Sequence, residues 1–338
     1  MTAGKSIDPG IPVIDVTPFR LGDKKGKEEV AAMIAAACES SGFFCIIGHG
    51  VDEKLIARTR QAGADFFASS DIIKRKCLRE ASRTGCGYYP VADRALAKTL
   101  GVDTPPDLQE AWAMAPENVP GDPYYQEETG QYFFAPNKWP EGLPGFRETL
   151  VEYFETMAAL GRKMMGALAL ALELDENYFA DKIDKATNQF RFLYYPPQES
   201  SPETNQLRAG AHTDYGALTM LRGDDVPGTL QVKLPEVGWT DVRPPANAFV
   251  CNLGDAMARW TGGRWASTLH RVTNPPPGVG SPEILKRGRM TLVFFHQPNH
   301  DVILNGITET ELDQPTVTLG EHYKQKIHAA VDTTPPAA

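Results

Sequence analysis

Ala209–Leu221 reads AGAHTDYGALTML. Its second half, ALTML, is a short apolar run with a β-branched residue, the pattern of a half-buried strand. Its first half puts His212 and Asp214 two residues apart, and strand alternation would turn both side chains to one face. Alone, such a pair suits a turn with two satisfied polar residues better than it suits half of a metal site. The flanking sequence has to decide.

Outward from this stretch, Gln189–Pro298 holds a succession of β-like runs: QFRFLYY, ALTML, TLQVKL, WTDV, AFVCNL, STLHRV and RMTLVFF. The turn signals RGDDVPG, PPAN and NPPPGVG separate them, and no helix of useful length intervenes. This spacing predicts an all-β sandwich, jelly roll or barrel. His270 lies in STLHRV, so two separated strands can bring a second imidazole to His212 and Asp214. Two neutral imidazoles and one carboxylate leave about half of an octahedron open, the arrangement that non-haem Fe(II) oxygenases need. RMTLVFF places Arg289, Thr291, Val293 and Phe295 on one face. A buried arginine is costly unless something anionic meets it. A guanidinium and a hydroxyl two residues apart make a fork for a carboxylate. On QFRFLYY, Arg191, Leu193 and Tyr195 alternate on one face, which points Arg191 into the same lumen as Tyr195.

The N-terminal half reads differently. IPVIDV (Ile11–Val16) predicts a short strand, with Pro12 placing it at an edge or strand start. Lys27–Ser41 predicts an amphipathic helix burying Val30, Met33, Ile34, Ala37 and Cys38. Gly42–Ile47 predicts a strand, and Glu53–Ser69 a helix burying Leu55, Ile56, Phe66 and Phe67. Thr84–Phe134, rich in Gly, Pro, Tyr and Asp, predicts a long excursion over a core or a site. Pro144 at a first helical position opens a helix through about Leu174, carrying Leu150, Phe154, Met157, Leu160, Met164 and Leu168.

Bulk properties exclude several classes. The 338-residue chain carries a formal charge of −9, which offers no electrostatic footprint for nucleic acid or an anionic membrane. Five scattered cysteines form no C-x-x-C pair, favouring a reducing compartment over a disulfide framework or thiolate metal site. MTAGKSIDPGIPVIDV has no signal-peptide apolar region, and no apolar run is long enough to span a bilayer. The expectation is a soluble, cytoplasmic protein with a mobile TTPPAA tail. No heptad or exposed apolar stripe fixes an oligomeric state.

His-x-Asp at 212 and 214, fifty-five intervening residues, His270, and then Arg-x-Thr at 289–291 resemble the iron(II)/2-oxoglutarate-dependent dioxygenase superfamily. Within it the chain is similar to the isopenicillin N synthase-like branch, with thymine 7-hydroxylase, the bacterial ethylene-forming enzyme and plant 2-oxoglutarate dioxygenases. IPVIDV, GFFCIIGHGV, LYYPP, AHTDYGALTML, NLGDAMARWTGGRWASTLHRV and RMTLVFF carry the likeness in order over residues 11–300. The resemblance implies a mainly β fold with surrounding helices, a double-stranded β-helix (jelly roll) core. It divides the chain into an N-terminal region (1–118), a linking segment with the central helix (119–185), a catalytic core (186–300) and a C-terminal helix and tail (301–338). It further implies that His212, Asp214 and His270 ligate Fe(II), and that Arg289, Thr291 and Tyr195 hold 2-oxoglutarate. Thr291 stands where the family more often has Ser and keeps the hydroxyl; Leu193 stands where many plant members have Asn.

The implied reaction decarboxylates 2-oxoglutarate to succinate and CO2 while O2 oxidises, by hydroxylation in the usual outcome, a C–H bond of a small organic molecule. Ascorbate would serve as reductant in vitro. Asn188, Arg191, Tyr215 and Phe295 look like the family's substrate-pocket positions and suit a planar, aromatic or carboxylate-bearing molecule. A core arginine paired to a carboxylate is the competing reading of Arg191. Three further readings stay open: an isopenicillin N synthase-type oxidase without 2-oxoglutarate, a jelly-roll binding protein, and a zinc hydrolase. His49 predicts a turn role. Pro298 argues against a helical metal pair of His296 and His300. His322 and His328 fall in a C-terminal helix as exposed or packing residues.

Overall fold

A computed structural model describes residues 11–80, 86–197, 202–224, 230–275, 288–307 and 315–331. Two sheets organise it. The larger has the order β1-β2-β10-β7-β12-β5-β4-β3, the smaller β6-β11-β8-β9. The strands are β1 (Val13–Asp15), β2 (Phe43–Ile47), β3 (Gly87–Tyr89), β4 (Glu110–Met114), β5 (Gln189–Tyr195) and β6 (Ala209–His212). They continue with β7 (Leu218–Arg222), β8 (Leu230–Leu234), β9 (Gly238–Asp241), β10 (Phe249–Leu253), β11 (His270–Val272) and β12 (Arg289–His296). Pairing is antiparallel except between the edge strand β1 and β2. The main sheet therefore takes strands from both the N-terminal region and the catalytic core. The jelly-roll expectation holds.

Side-chain alternation gives the large sheet two different faces. Phe190 and Phe192 of β5, and Met290, Leu292 and Phe294 of β12, join the larger hydrophobic core with the helices. Those helices include α1 (Thr17–Leu21), α2 (Lys24–Ser40), α3 (Glu53–Ala68), α4 (Asp71–Lys76), α5 (Pro123–Gln126), α6 (Glu128–Phe133), α7 (Phe146–Ala171) and α8 (Asp255–Trp260). The long helix α7 buries all six of its expected apolar positions, from Leu150 to Leu168. Each such side chain stabilises the fold by roughly 1.5–3 kcal/mol relative to leaving it exposed. The opposite face of the sheet turns Tyr195 and Val293 toward Val232, Leu234 and Val272 of the small sheet, forming a second cluster. Functional side chains stand between the sheets.

Several expectations are corrected at this level. Met33 is 41% exposed, on the outer edge of the α2 stripe, whereas Val30, Ile34, Ala37 and Cys38 are buried. Pro144 lies before α7, because Gly145 (φ 75°) occupies the N-cap in a left-handed conformation and the first helical residue is Phe146. Thr84–Phe134 is more than an excursion: it supplies β3 and β4, which complete one edge of the large sheet. The short helices α1 and α4 carry too few turns to show a period. STLHRV is strand only from His270 onward. Parts of the RGDDVPG and NPPPGVG turns, and all of the TTPPAA tail, lie outside the described residues. No described helix is long and apolar enough to cross a membrane.

Candidate metal centre

His212, at the end of β6, and His270, at the start of β11, are direct partners across the small sheet. Asp214 lies two residues past the end of β6, so a turn and not strand alternation delivers it to the same point. That turn is clamped by α8: the Asp255 N–H donates to the Asp214 carbonyl at 2.7 Å, and the Gly254 N–H to that of Ala217 at 3.1 Å. A Cβ at Gly254 would stand 2.3 Å from the Gly216 oxygen, so the approach needs glycine. One ligand atom from each of His212, Asp214 and His270 lies within 4.8 Å of the others. The two imidazole Nε2 atoms stand 3.9 and 3.7 Å from Asp214 Oδ1.

The orientation of each donor follows from its partners. His212 Nδ1 lies 2.7 Å from the Gly210 carbonyl, and His270 Nδ1 lies 3.2 Å from that of Thr268. A carbonyl only accepts, so both Nδ1 atoms carry the proton and both Nε2 lone pairs face the cluster. Burial lowers His212 to about 4, which keeps it neutral at physiological pH. Asp214 Oδ2 accepts from Asn252 Nδ2 at 2.7 Å and from Thr219 Oγ1 at 2.5 Å, leaving Oδ1 toward the imidazoles. Burial pushes the Asp214 carboxyl up, but His270, His212 and these two donors outweigh it and hold the group below its ordinary value. Two neutral imidazoles and an anionic carboxylate oxygen are a donor set for a divalent cation with open positions.

The cavity beside this cluster is lined from both sheets, with Leu221, Leu230 and Val272 as apolar walls. Arg289, Thr291, Val293 and Phe295 of β12 all line it, as do Arg191, Leu193 and Tyr195 of β5. Arg289 faces Tyr195 across the ladder, its guanidinium 5.3 Å from that ring. Arg289 Nη1 and Thr291 Oγ1 are buried without a hydrogen-bond partner among the described residues. Burial raises the Tyr195 hydroxyl above its ordinary value, so it stays protonated as a donor. Arg191 donates from Nε to Gln189 Oε1 at 2.6 Å and is paired with no carboxylate among the described residues. Tyr215 and Phe295 line the same cavity.

Asn188 does not line the cavity. It precedes β5 with parity opposite to Arg191, and its Oδ1 accepts from the Gln297 N–H at 3.0 Å. Gln297 is the residue that reaches the cavity.

Some participants give little sequence signal. Asn252 and Thr219, which aim Asp214, are partners across β10 and β7. A polar Asn inside the fully buried run FVCNL is a usable clue, since a buried amide must find partners. Asp107 accepts from the Gly210 N–H at 2.8 Å and the Leu96 N–H at 3.0 Å, bracing β6 just before His212. Tyr89 and Arg94 enter from β3 and the irregular segment after it, and Tyr323 and Ile327 from the C-terminal helix Leu319–Val331. Asp255 holds that helix through Lys326 at 2.8 Å.

The other described histidine side chains sit elsewhere, and that of His328 lies outside the described residues. His49 Nε2 donates to the Asn247 carbonyl at 3.0 Å and its Nδ1 accepts from the Val51 N–H, a turn role. His296 is fully buried at the end of β12, whereas His300 stacks on Tyr124 at 3.9 Å. His322 is buried, 3.6 Å from Asp255.

Comparison with known proteins agrees with this geometry. Residues 11–142 match the family described as non-haem dioxygenase in morphine synthesis N-terminal, and residues 186–298 match the 2OG-Fe(II) oxygenase superfamily. The chain is 32% identical to the 2-oxoglutarate-Fe(II) type oxidoreductase hxnY of Emericella nidulans, over 86% of this chain and 80% of that protein. It is 32% identical to homoarginine-6-hydroxylase 2-ODD-C23.1 of Arabidopsis thaliana, over 94% and 96% respectively. The full-length thymine 7-hydroxylase of Neurospora crassa, in complex with alpha-KG and thymine, superposes with a TM-score of 0.81 at 28% identity, over 96% of this chain and 99% of that one. An oxidase that dispenses with 2-oxoglutarate finds no support among these.

Proposed function

The chain belongs to the 2OG-Fe(II) oxygenase superfamily, and from that premise we propose the part each residue of the site plays. The protein is an Fe(II)- and 2-oxoglutarate-dependent dioxygenase acting on a small organic molecule. His212, Asp214 and His270 hold the iron; Arg289, Thr291 and Tyr195 hold the distal carboxylate of 2-oxoglutarate. One observation carries the second assignment. Arg289 Nη1 and Thr291 Oγ1 are buried, orphaned and aimed into the same lumen as the His–Asp–His cluster. A carboxylate supplies the acceptors that both lack.

When bound, Fe(II) with 2-oxoglutarate supplies the O2 activation that converts R–H to R–OH, one oxygen atom going to the product and one to succinate as CO2 leaves. The chain's own residues prepare for this. His212 and His270 present unprotonated Nε2 atoms because the carbonyls of Gly210 and Thr268 fix their tautomers. Asn252 and Thr219 occupy Asp214 Oδ2, so Oδ1 is the oxygen that would be left to hold the metal. The apolar walls from Leu221, Leu230 and Val272 exclude water around the reacting bond. The uncharged Tyr195 hydroxyl, beside Arg289, donates to the carboxylate that the guanidinium neutralises.

On the substrate side, Arg191, Tyr215 and Phe295 line the cavity, and Asn188 positions Gln297. Arg191 stands 5.6 Å from the Phe295 ring centroid, which supports a planar or aromatic substrate with an anionic or polar edge. All five cysteines are buried and unpaired, in keeping with a cytoplasmic setting. The decisive assay screens small molecules for succinate release with Fe(II), ascorbate and 2-oxoglutarate, with Asp214→Ala as the blank. Substrate-stimulated succinate above that blank is expected. O2 uptake without succinate would replace this reading with the substrate-only oxidase, and restoration by Zn(II) in place of Fe(II) would replace it with a hydrolase.

A further inference from the structure

We infer that Arg94 and Arg191, gathered on the ring of Tyr89, form a second anion clamp in the cavity that takes a carboxylate carried by the substrate. The inference rests on the reading above and narrows its substrate class. The Arg94 guanidinium carbon is 4.2 Å from the Tyr89 ring centroid, and that of Arg191 is 5.3 Å from the same centroid. All three residues line the cavity. Arg94 Nε is buried without a hydrogen-bond partner among the described residues. Among the described residues neither guanidinium is paired with a carboxylate. Asp93, the carboxylate next to Arg94 in the chain, also lines the cavity and is held by Arg79 through Oδ2 at 3.0 Å, so one carboxylate serves a cluster of guanidiniums there. The Arg79 guanidinium also lies 5.0 Å from this centroid, so three like charges with the single carboxylate of Asp93 stand beside one ring, and the cation–π attraction of a single tyrosine offsets only part of the remaining repulsion. An anion arriving in the cavity beside Arg94 and Arg191 offsets that repulsion and supplies acceptors for their donors.

The sheet is built to let this happen. Arg191 is on β5 and Tyr89 on β3, two strands apart, a span of about 9.6 Å. The intervening β4 presents Ala111 and Ala113 on this face, against Trp112 and Met114 on the other. Two methyl groups leave a trough along which a long arginine side chain reaches the ring beyond. The clamp is separate from the fork assigned to 2-oxoglutarate, which sits on Arg289 and Thr291. The rings of Tyr89, Tyr215, Tyr323 and Phe295 complete the wall, so the carboxylate belongs to a ring-bearing acid.

The test titrates the full chain, loaded with Mn(II) as a redox-inert stand-in and saturated with 2-oxoglutarate, by calorimetry. The probes are benzoate, phenylacetate, 3-phenylpropanoate and indole-3-acetate, each beside its neutral amide. At least one acid should bind roughly tenfold or more tighter than its amide, the scale of a charged hydrogen bond. Arg94→Gln and Arg191→Gln should each erase that preference while leaving 2-oxoglutarate binding within about twofold of the parent. Ala113→Leu, which fills the trough without changing charge, should do the same. If no acid outbinds its amide, or if both arginine variants keep the preference, the clamp does not exist. Failure of 2-oxoglutarate itself to bind the Mn(II)-loaded parent would instead overturn the reading on which the clamp rests.

Discussion

Replacing Asn252 by Ala should weaken metal binding far more than it weakens the fold. Asn252 Nδ2 lies 2.7 Å from Asp214 Oδ2, and Thr219 Oγ1 lies 2.5 Å from the same atom. Neither residue can reach a bound metal through that oxygen; their effect is to decide which oxygen of Asp214 the metal sees. A hydrogen bond to a charged group contributes about 1.5–3 kcal/mol. Loss of such a partner behind a metal ligand costs about 10–100-fold in affinity, or about 1.4–2.8 kcal/mol. Mn(II) titrations followed by the resonance of the free aquo ion measure this directly. Asn252→Ala and Thr219→Val should each raise the dissociation constant within that range. The double variant should fall short of the product, because both donors act on one acceptor and their contributions are coupled. Urea midpoints measured alongside separate orientation from general damage. A lowered midpoint with Mn(II) affinity unchanged within about threefold would refute the reasoning: the two donors would then serve packing alone.

Three further outcomes are expected. Arg289→Lys keeps the charge but loses the planar fork, so the 2-oxoglutarate requirement should rise about tenfold or more with Mn(II) affinity unchanged; equal 2-oxoglutarate affinity would remove Arg289 from the site. Gly254→Ala forces a methyl against the Gly216 oxygen and should cost about 1–3 kcal/mol in urea-induced unfolding, with weakened metal binding because Asp214 hangs on the same turn. Burial lowers His296 to about 3 against an unfolded value near 6.5, so the unfolded chain takes the proton first and stability falls as pH drops below 6.5. At pH 5 that loss is about 2 kcal/mol; His296→Leu should remove this part of the acid dependence, and parallel pH profiles for variant and parent would contradict it.

How much of this is legible in the sequence depends on where periodicity survives. The strands of the core are readable because each alternates between a helix-covered face and a lumen: β5 shows Phe190 and Phe192 against Arg191, Leu193 and Tyr195. The long helix α7 is readable for the same reason at a different period, and its start is misplaced by two residues because Gly145, not Pro144, makes the turn. β3 and β4 leave no such trace. GYY is too short to show a period, and in EAWAM the lumen-facing residues are alanines, whose small size erases the contrast between faces that alternation depends on. The feature that hides β4 is the one that opens the trough for Arg191.

The same distinction separates the site residues. His212, His270, Arg289, Thr291 and Tyr195 lie on strands, so parity alone sets their direction, and register then makes His212 face His270 and Arg289 face Tyr195. Asp214 reaches the right place for a different cause: it sits past the end of β6, and a backbone clamp from α8 aims it. A two-residue spacing therefore brings Asp214 to the cluster through an incomplete argument, since a turn can imitate the strand it follows. Arg94 has no periodic context at all. Its side chain is placed by Tyr89 and by the Asp107 N–H on its own carbonyl, contacts that join residues with no shared pattern. Chemistry on strands can be read from spacing because the backbone repeats. Chemistry on irregular segments has to wait for the long-range contacts that position it, and the groups that discriminate among substrates are drawn disproportionately from such segments. That is why the reaction class is readable from the strands of this chain, while the clamp that narrows the substrate emerges only from the assembled wall.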